Sequence, residues 1–468
     1  KYSWSQDGNR IACMADPSGC FDTYLLDITT GRMDCVFAVG HPGWEVHWSP
    51  DGRWLAVTVE GRDQDYGTYI VPVRGLVPAD DILPIQGDTV LQIGDEHGPI
   101  NAITPAWSPD GTRLAFASDV HGRYQIGIYN LVDALIQWLP PSAGDDVAPA
   151  WSADGRLAFV QHEGAREWLV VTAPSGKLLR YQVDPGLYFS PQFTPDGRSL
   201  VFVFDNPCQP DALWHLVLQA GTFKRLTHSF PADLPPESLV MSQEITYPAH
   251  DGVRVPAVLY KPPQAGPDCP AVIVIHGGPT WQFSIMWYPF MAHLASRGWV
   301  VLAPNYRGST GYGRDWQHAN RFDLGGVDAR DVRAGVDFLV RSGLADAQRI
   351  AVTGRSHGGY LTMVCLTSFP DVWAGGSAVV PFLNYFTSHA NSRSDLQHWD
   401  LENFGNPVDN YDLGYARSPF FFLDRIQAPV QLICGENDPR CPPSESVAAR
   451  DRLLALGRQV EFILYQGE

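Results

Sequence analysis

The chain has 468 residues, of which 45% are hydrophobic and 12% aromatic, and its formal net charge is −18. This length and composition are typical of a globular protein with at least two buried cores, and they exclude an intrinsically disordered chain. The negative charge argues against nucleic acid or an anionic membrane as a partner, and no apolar run is long enough to span a bilayer. Eight scattered cysteines without a zinc-binding spacing predict reduced thiols, no metal site and a cytoplasmic location.

A short motif of the type Trp-Ser-Pro-Asp-Gly recurs through the first half of the chain. It occurs at 4–8, 48–52, 107–111, 151–155 and 193–197, with spacings of 44, 59, 44 and 42 residues. Repeats of this length, with strand-like runs between turns, are typical of β-propeller blades. Pro-Asp-Gly builds a tight turn, and the aromatic residue is expected to fill the gap between blades. We predict an all-β propeller with at least five blades; a β-sandwich with coincident turns is the alternative.

The repeat region ends at a proline-rich segment, residues 231–236. We interpret this segment as an interdomain linker. We therefore place the propeller at residues 1–233 and a second domain at 234–468. One or two further blades are expected to precede Lys1, so that the propeller is incomplete at its N-terminus. The longer 59-residue interval is expected to contain a loop insertion near 75–95.

Strands and helices alternate after the linker. Apolar runs at 258–260, 271–275, 299–303, 349–353, 430–434 and 460–465 predict strands, and 327–340 and 445–456 predict helices. Such alternation implies a mostly parallel sheet covered by helices on both faces. The carboxyl ends of its strands are where active-site residues are expected.

The segment around Ser356 predicts a strand, a sharp turn and then a helix. Residues 354–358, Gly-Arg-Ser-His-Gly, match the G-x-S-x-G pattern of a nucleophile elbow. The two glycines let the backbone pass close to its neighbours while the hydroxyl stays exposed. We therefore predict that Ser356 is a catalytic nucleophile; the alternative is a glycine-rich packing turn.

Two other strand ends carry candidate partners for Ser356. Asp438 follows the strand at 430–434 and could orient a catalytic histidine, although Asn-Asp-Pro is also typical of a plain turn. Glu436 is a weaker candidate for the acid. His276-Gly277-Gly278-Pro279 follows another strand and is typical of an oxyanion loop, with a Gly-Pro turn as the alternative. Neither His276 nor His357 is expected to act as the base.

With these motifs, the sequence resembles the prolyl oligopeptidase family of serine peptidases, and most closely its acylaminoacyl-peptidase branch. The resemblance covers nearly the whole chain. It rests on the five repeats, on Asn-Tyr-Arg-Gly-Ser-Thr-Gly-Tyr-Gly at 305–313, on the serine motif at 354–360, and on Asn-Asp-Pro-Arg at 437–440. It implies a β-propeller joined to an α/β-hydrolase domain.

The resemblance also implies a role for individual residues. Ser356 would be the nucleophile and Asp438 the triad acid, while the backbone N–H groups of Gly278 and His357 would form the oxyanion hole. Arg440 would hold a substrate carbonyl. The triad histidine is expected in a Gly-His step just beyond Glu468, so that the hydrolase domain would be truncated before it. Cys441 departs from the family pattern, which usually has a small apolar residue there.

The implied activity is hydrolysis of short peptides through an acyl-enzyme, of the acylaminoacyl-peptidase or oligopeptidase type, without a metal or organic cofactor. The resemblance allows a homo-oligomer. A carboxylesterase with the same triad is one alternative, and a catalytically dead propeller–hydrolase protein that binds partners is another. The pocket for the residue before the scissile bond is expected to draw on 382–399. Acylaminoacyl, dipeptidyl and internal cleavage remain open.

Overall fold

The repeats of the first half form tight turns that are held by their own side chains. In the second repeat the Ser49 hydroxyl donates to Asp51 Oδ1 at 2.6 Å, and the same oxygen accepts the N–H of Arg53 at 3.0 Å. Gly52 adopts a φ of +72°, which a residue with a Cβ rarely tolerates. Because all of these contacts lie within five residues, the motif forms the same turn wherever it occurs.

The computed structural model describes residues 1–17, 20–61, 65–73, 90–231 and 235–468. Within the described residues before 231, five antiparallel sheets of four strands follow one another, as expected for propeller blades. The first blade consists of β1 (Tyr2–Trp4), β2 (Arg10–Ala15), β3 (Asp22–Asp27) and β4 (Met33–Phe37), and the second of β5 (Gly43–Trp48), β6 (Trp54–Glu60), β7 (Tyr66–Pro72) and β8 (Leu91–Gln92). A two-stranded ribbon of β9 (Gly94–Asp95) and β10 (Gly98–Pro99) follows, and then the third blade of β11 (Ile103–Trp107), β12 (Arg113–Ser118), β13 (Gln125–Asn130) and β14 (Ile136–Trp138). The fourth blade consists of β15 (Asp145–Trp151), β16 (Leu157–Glu163), β17 (Arg166–Thr172) and β18 (Leu178–Tyr181), and the fifth of β19 (Leu187–Phe193), β20 (Ser199–Asn206), β21 (Gln209–Val217) and β22 (Thr222–Arg225).

The tryptophans of the third and fourth repeats join their blades to the preceding ones. Trp107 Nε1 donates to the carbonyl of His47 at 3.2 Å, and Trp151 Nε1 donates to the carbonyl of Ala106 at 3.0 Å. Trp107 is only 9% exposed as a result. Trp4 differs from this expectation, since it lies in the first of the five blades and is 52% exposed. The aromatic residue therefore fills the gap only where a blade packs against it.

An eight-stranded sheet forms the second half of the chain, in the order β23-β24-β26-β25-β27-β28-β29-β30. The pairs β23–β24 and β24–β26 are antiparallel and the others are parallel. Its strands are β23 (Ser242–Pro248), β24 (Arg254–Tyr260), β25 (Ala271–Ile275), β26 (Val300–Pro304), β27 (Ile350–Arg355), β28 (Gly375–Val379), β29 (Val430–Gly435) and β30 (Val460–Tyr465). The mostly parallel sheet expected from the alternation is confirmed.

Helices lie between these strands in the chain. They are α1 (Pro289–Ser296), α2 (Arg314–His318), α3 (Val327–Arg341), α4 (His357–Ser368), α5 (Tyr385–Asn391), α6 (Ser394–Asn403), α7 (Tyr411–Ala416) and α8 (Pro443–Ala455), with 3-10 helices at Pro236–Ser238 and Pro419–Arg425. The strand order places the ends of β25, β27 and β29 near one another, where the predicted site residues lie. No helix in the described ranges is long and apolar enough to cross a membrane.

The predicted domain boundary at 233/234 falls on residues 232–234, which are outside the described part of the chain. The last propeller strand ends at Arg225, and the first strand of the large sheet begins at Ser242. Of the predicted insertion at 75–95, residues 75–89 also lie outside the described residues. The described remainder, residues 90–95, contains β8 and β9.

Polar contacts connect the two halves next to the carboxyl edge of the large sheet. Arg314, at the start of α2, forms ion pairs with Asp65 at 2.7 Å and Asp119 at 3.0 Å in the second and third blades. The N–H of Trp287 donates to Asp205 in the fifth blade at 2.6 Å. The loops that follow β25 and β26 therefore contact the propeller.

Candidate active site

Ser356 occupies a strained turn between β27 and α4. Its φ of 58° and ψ of −122° are unusual for a residue with a side chain, and such conformations persist where the surroundings enforce them. A Cβ on Gly358 would lie 2.2 Å from the Ile275 carbonyl oxygen, and one on Gly354 would lie 2.5 Å from the Gly358 backbone. Both glycines of the motif are therefore required for the backbone to pass this close to β25.

A cavity of 670 Å³ opens next to Ser356 and is lined by five residues that the sequence predicts for the site. Gly278, His357, Asp438 and Arg440 line it together with Ser356. These residues come from three different strand ends, so it is the sheet that brings them together.

Backbone N–H groups in this cavity are available to an oxyanion. Within the described part of the chain, the N–H groups of Gly278 and His357 donate no hydrogen bond. Gly278 has a φ of +121°, and a Cβ on Gly277 would lie 3.4 Å from the Cβ of Ser356. His357 is the first residue of α4, whose N-terminal dipole favours a negative charge. The arrangement could stabilise a tetrahedral intermediate.

Asp438 is held by the loop that follows β29. Its Oδ1 accepts the N–H of Arg440 at 2.9 Å and that of Cys441 at 3.0 Å. This is the Asx-type turn considered above, and it fixes the direction of the carboxylate beside the cavity. Glu436, by contrast, accepts the N–H of Gly467 at 3.0 Å and does not line the cavity. Asp438 is therefore the better placed of the two acids.

The imidazole of His276 supports the loop that carries Gly277 and Gly278. Its Nδ1 lies 2.8 Å from the Gly277 carbonyl and its Nε2 lies 2.8 Å from the Ser309 hydroxyl, while the ring stacks on Tyr306. Burial lowers the pKa of His276 to about 3, so the ring is neutral. The Ser309 hydroxyl also donates to the Tyr306 carbonyl at 2.7 Å, which links the imidazole to the segment that follows β26.

The imidazole of His357 points into the protein. It is 1% exposed, and its Nε2 lies 3.5 Å from Asp328 Oδ2. Its ring centroid lies 5.4 Å from that of Tyr360 and 6.2 Å from those of Phe382 and Trp399. His357 therefore offers its backbone N–H to an oxyanion, while its imidazole is buried behind the cavity wall.

The segment 305–313 connects the site to the rest of the domain. Asn305 donates to the Phe283 carbonyl at 2.8 Å and accepts the Phe283 N–H at 2.7 Å, which ties it to the stretch after the glycines. Arg307 pairs with Asp331 at 2.6 Å, and this raises its pKa. Ser309 holds His276, as described above. This distinctive motif therefore positions the oxyanion loop.

Two features of the cavity were not assigned a role from the sequence. Cys441 lines the cavity and is 6% exposed, and burial raises the pKa of its thiol to about 12. The sequence signal was its departure from the family pattern. Asp400 also lines the cavity, although only the segment up to Trp399 was expected there. Arg440 lies at the cavity with its side chain 54% exposed, and its Nε is 3.9 Å from Asp395 Oδ2.

Two family models match this chain. Residues 281–468 match the model of the prolyl oligopeptidase family, and residues 82–252 match that of the TolB beta propeller domain. Residues 281–468 form a domain of the prolyl oligopeptidase family. The combination of propeller and α/β-hydrolase predicted from the sequence is thereby confirmed.

Several curated members of the family are similar over most of the chain. The acylamino-acid-releasing enzyme of Mus musculus is 31% identical over 94% of this chain and 65% of its own length. The enzyme of that name from Rattus norvegicus is 30% identical over 79% of this chain. The uncharacterized peptidase YuxL of Bacillus subtilis is 25% identical over 99% of this chain and 85% of its own length. The chain spans only 55% of the rat enzyme.

Solved structures show the same fold. A puromycin hydrolase superimposes over the whole of this chain and 74% of its own, with a TM-score of 0.88 and 23% identity. An acylaminoacyl peptidase in complex with a chloromethyl ketone superimposes over the whole chain and 83% of its own, with a TM-score of 0.70 and 20% identity.

Proposed function

We propose that this protein is a serine peptidase that hydrolyses short peptides through an acyl-enzyme. The observation that carries the proposal is the strained Ser356 at the junction of β27 and α4, in one cavity with Asp438 and with the unengaged N–H groups of Gly278 and His357. The family membership of residues 281–468 supports it.

In this mechanism, Ser356 Oγ attacks the carbonyl carbon and transfers its proton to a histidine, while the oxyanion accepts hydrogen bonds from Gly278 and His357. The histidine returns the proton to the leaving amine as the carbon–nitrogen bond breaks. Water then attacks the acyl-enzyme in the same way and releases the acid. Asp438 orients the histidine and stabilises its cationic form.

The histidine is the one expected after Glu468. Strand β30 pairs in parallel with β29, so residues that follow β30 emerge beside the loop of Asp438. In agreement, the N–H of Asn437 donates to the Glu468 carbonyl at 2.5 Å. A histidine there would be close to the acid, as a triad requires.

We further propose the acylaminoacyl-peptidase or oligopeptidase type of specificity, since enzymes named for acylamino-acid release are among the similar proteins. Arg440, with its exposed guanidinium at the cavity, would bind a substrate carbonyl. The contacts between propeller and hydrolase loops would limit substrates to short peptides. A cytoplasmic location and a homo-oligomer complete the proposal.

The test compares peptide and ester hydrolysis by the full-length protein. N-acetyl-aminoacyl anilides, free aminoacyl anilides and simple nitrophenyl esters are assayed with the native protein and with Ser356→Ala. Cleavage of the acylated anilides that is lost in Ser356→Ala supports the proposal. Ester hydrolysis without anilide cleavage would indicate a carboxylesterase, and no Ser356-dependent turnover would indicate a binding protein.

A further inference from the structure

The cavity beside Ser356 has aromatic walls. The ring centroids of Phe382 and Trp399 are 6.2 Å apart, and each lies 6.2 Å from the centroid of His357. Leu396 also lines the cavity, three residues before Trp399 on α6. Flat side chains in this arrangement suit a planar apolar group, since aromatic rings pack well in offset and edge-on contacts.

The same cavity also has buried polar groups. Ser388, Ser392 and Asp400 line it, and each is less than a tenth exposed. Asp400 lies four residues after Leu396, hence on the same face of α6. Its Oδ2 is 3.1 Å from His389 Nδ1. The other carboxylate oxygen, Oδ1, has no hydrogen-bond partner among the described side chains and retains its capacity to accept one.

We propose that Asp400 makes this pocket selective for a substrate residue with an aromatic ring and a hydrogen-bond-donating tip, as in tyrosine, immediately before the scissile bond. This inference rests on the proposed peptidase function, which places the bound residue immediately before the scissile bond. The ring of the substrate residue packs against the corner that Phe382 and Trp399 form, and its hydroxyl donates to the Asp400 carboxylate. Phenylalanine fills the same space and leaves the carboxylate without that hydrogen bond, which is the larger loss in a buried site.

Equilibrium binding tests this selectivity without relying on catalysis. N-acetyl-tyrosine amide, N-acetyl-phenylalanine amide and N-acetyl-lysine amide are titrated by NMR into the full-length protein carrying Ser356→Ala. We expect the tyrosine amide to bind about tenfold more tightly than the phenylalanine amide, which is the effect of one hydrogen bond. Adding Asp400→Leu should bring this ratio close to one, and Asp412→Asn, an exposed acid of the same domain, should leave it unchanged.

The ratio of two affinities measured on one preparation does not depend on how much of the protein is folded, so a destabilised variant still gives a result. Equal or reversed affinities for tyrosine and phenylalanine, a preference for lysine, no detectable binding, or a ratio unaffected by Asp400→Leu would each overturn the inference. If the tyrosine amide binds selectively and the native protein cleaves no tyrosyl anilide, the pocket assignment stands and the peptidase proposal fails.

Discussion

The backbone conformation of Ser356 makes a measurable prediction about stability. Replacing serine by alanine removes the hydroxyl and keeps the Cβ, whereas replacing it by glycine removes the Cβ as well. At a φ of 58° and a ψ of −122° a Cβ is sterically unfavourable, and such positions cost about 1–3 kcal/mol. Glycine loses about 0.5–1 kcal/mol more than alanine through the entropy of the unfolded chain. Ser356→Gly should therefore be more stable than Ser356→Ala by roughly 0.5–2 kcal/mol.

Differential scanning calorimetry of the two variants measures this difference. For a domain of this size, 1 kcal/mol corresponds to about 2–4 °C in Tm, so we expect the glycine variant to melt roughly 1–8 °C higher. Thr362, in the interior of α4, provides the matched control, since Thr362→Gly should be about 1 kcal/mol less stable than Thr362→Ala. A glycine variant at 356 that melts at or below the alanine variant would refute the strain attributed to this residue.

Three other predictions concern the acid, the elbow and the interface between the halves. Asp438→Asn should lower kcat/KM for anilide hydrolysis by about 10³–10⁴-fold. Glu436→Gln should lower it by less than about threefold, because the Glu436 side chain does not line the cavity. A larger loss in Glu436→Gln than in Asp438→Asn would identify Glu436 as the triad acid. Gly358→Ala should unfold or inactivate the domain, because the added Cβ would lie 2.2 Å from the Ile275 carbonyl oxygen. In a thermal scan, Gly266→Ala should melt like the native protein, because the atom nearest to its added Cβ is 3.8 Å away. Burial raises the pKa of Glu167 from its ordinary 4.5 to about 8 in the folded protein. The folded state therefore keeps a proton that the unfolded state has lost, so the contribution of Glu167 to the free energy of unfolding is fully present below pH 4.5 and is lost as the pH rises through 8. Glu167→Gln should therefore flatten the fall in Tm between pH 5 and pH 8, whereas the exposed Glu237→Gln should not; identical Tm profiles for both variants would contradict the raised pKa.

Local interactions explain which parts of this protein the sequence determined by itself. The turn at 49–53 depends on contacts within five residues, and the elbow depends on two glycines beside Ser356. Strand Ala271–Ile275 has the limits predicted from its apolar run, because a buried strand in a parallel sheet is continuously apolar. The fold class and the candidate nucleophile could therefore be predicted from the sequence.

Only the tertiary structure decided what lies around that nucleophile. Asp438 and Glu436 are two residues apart and follow the same strand, and the register of β29 with β30 directs one to the cavity and the other to Gly467. Asp400 lies on α6 and Cys441 lies in the loop after β29, and both line the cavity next to Ser356. No local sequence pattern predicts these positions, because α6 and this loop are distant from Ser356 in the sequence. Their positions follow from how the elements pack, since burial and hydrogen bonding across the sheet depend on the whole domain rather than on any one segment.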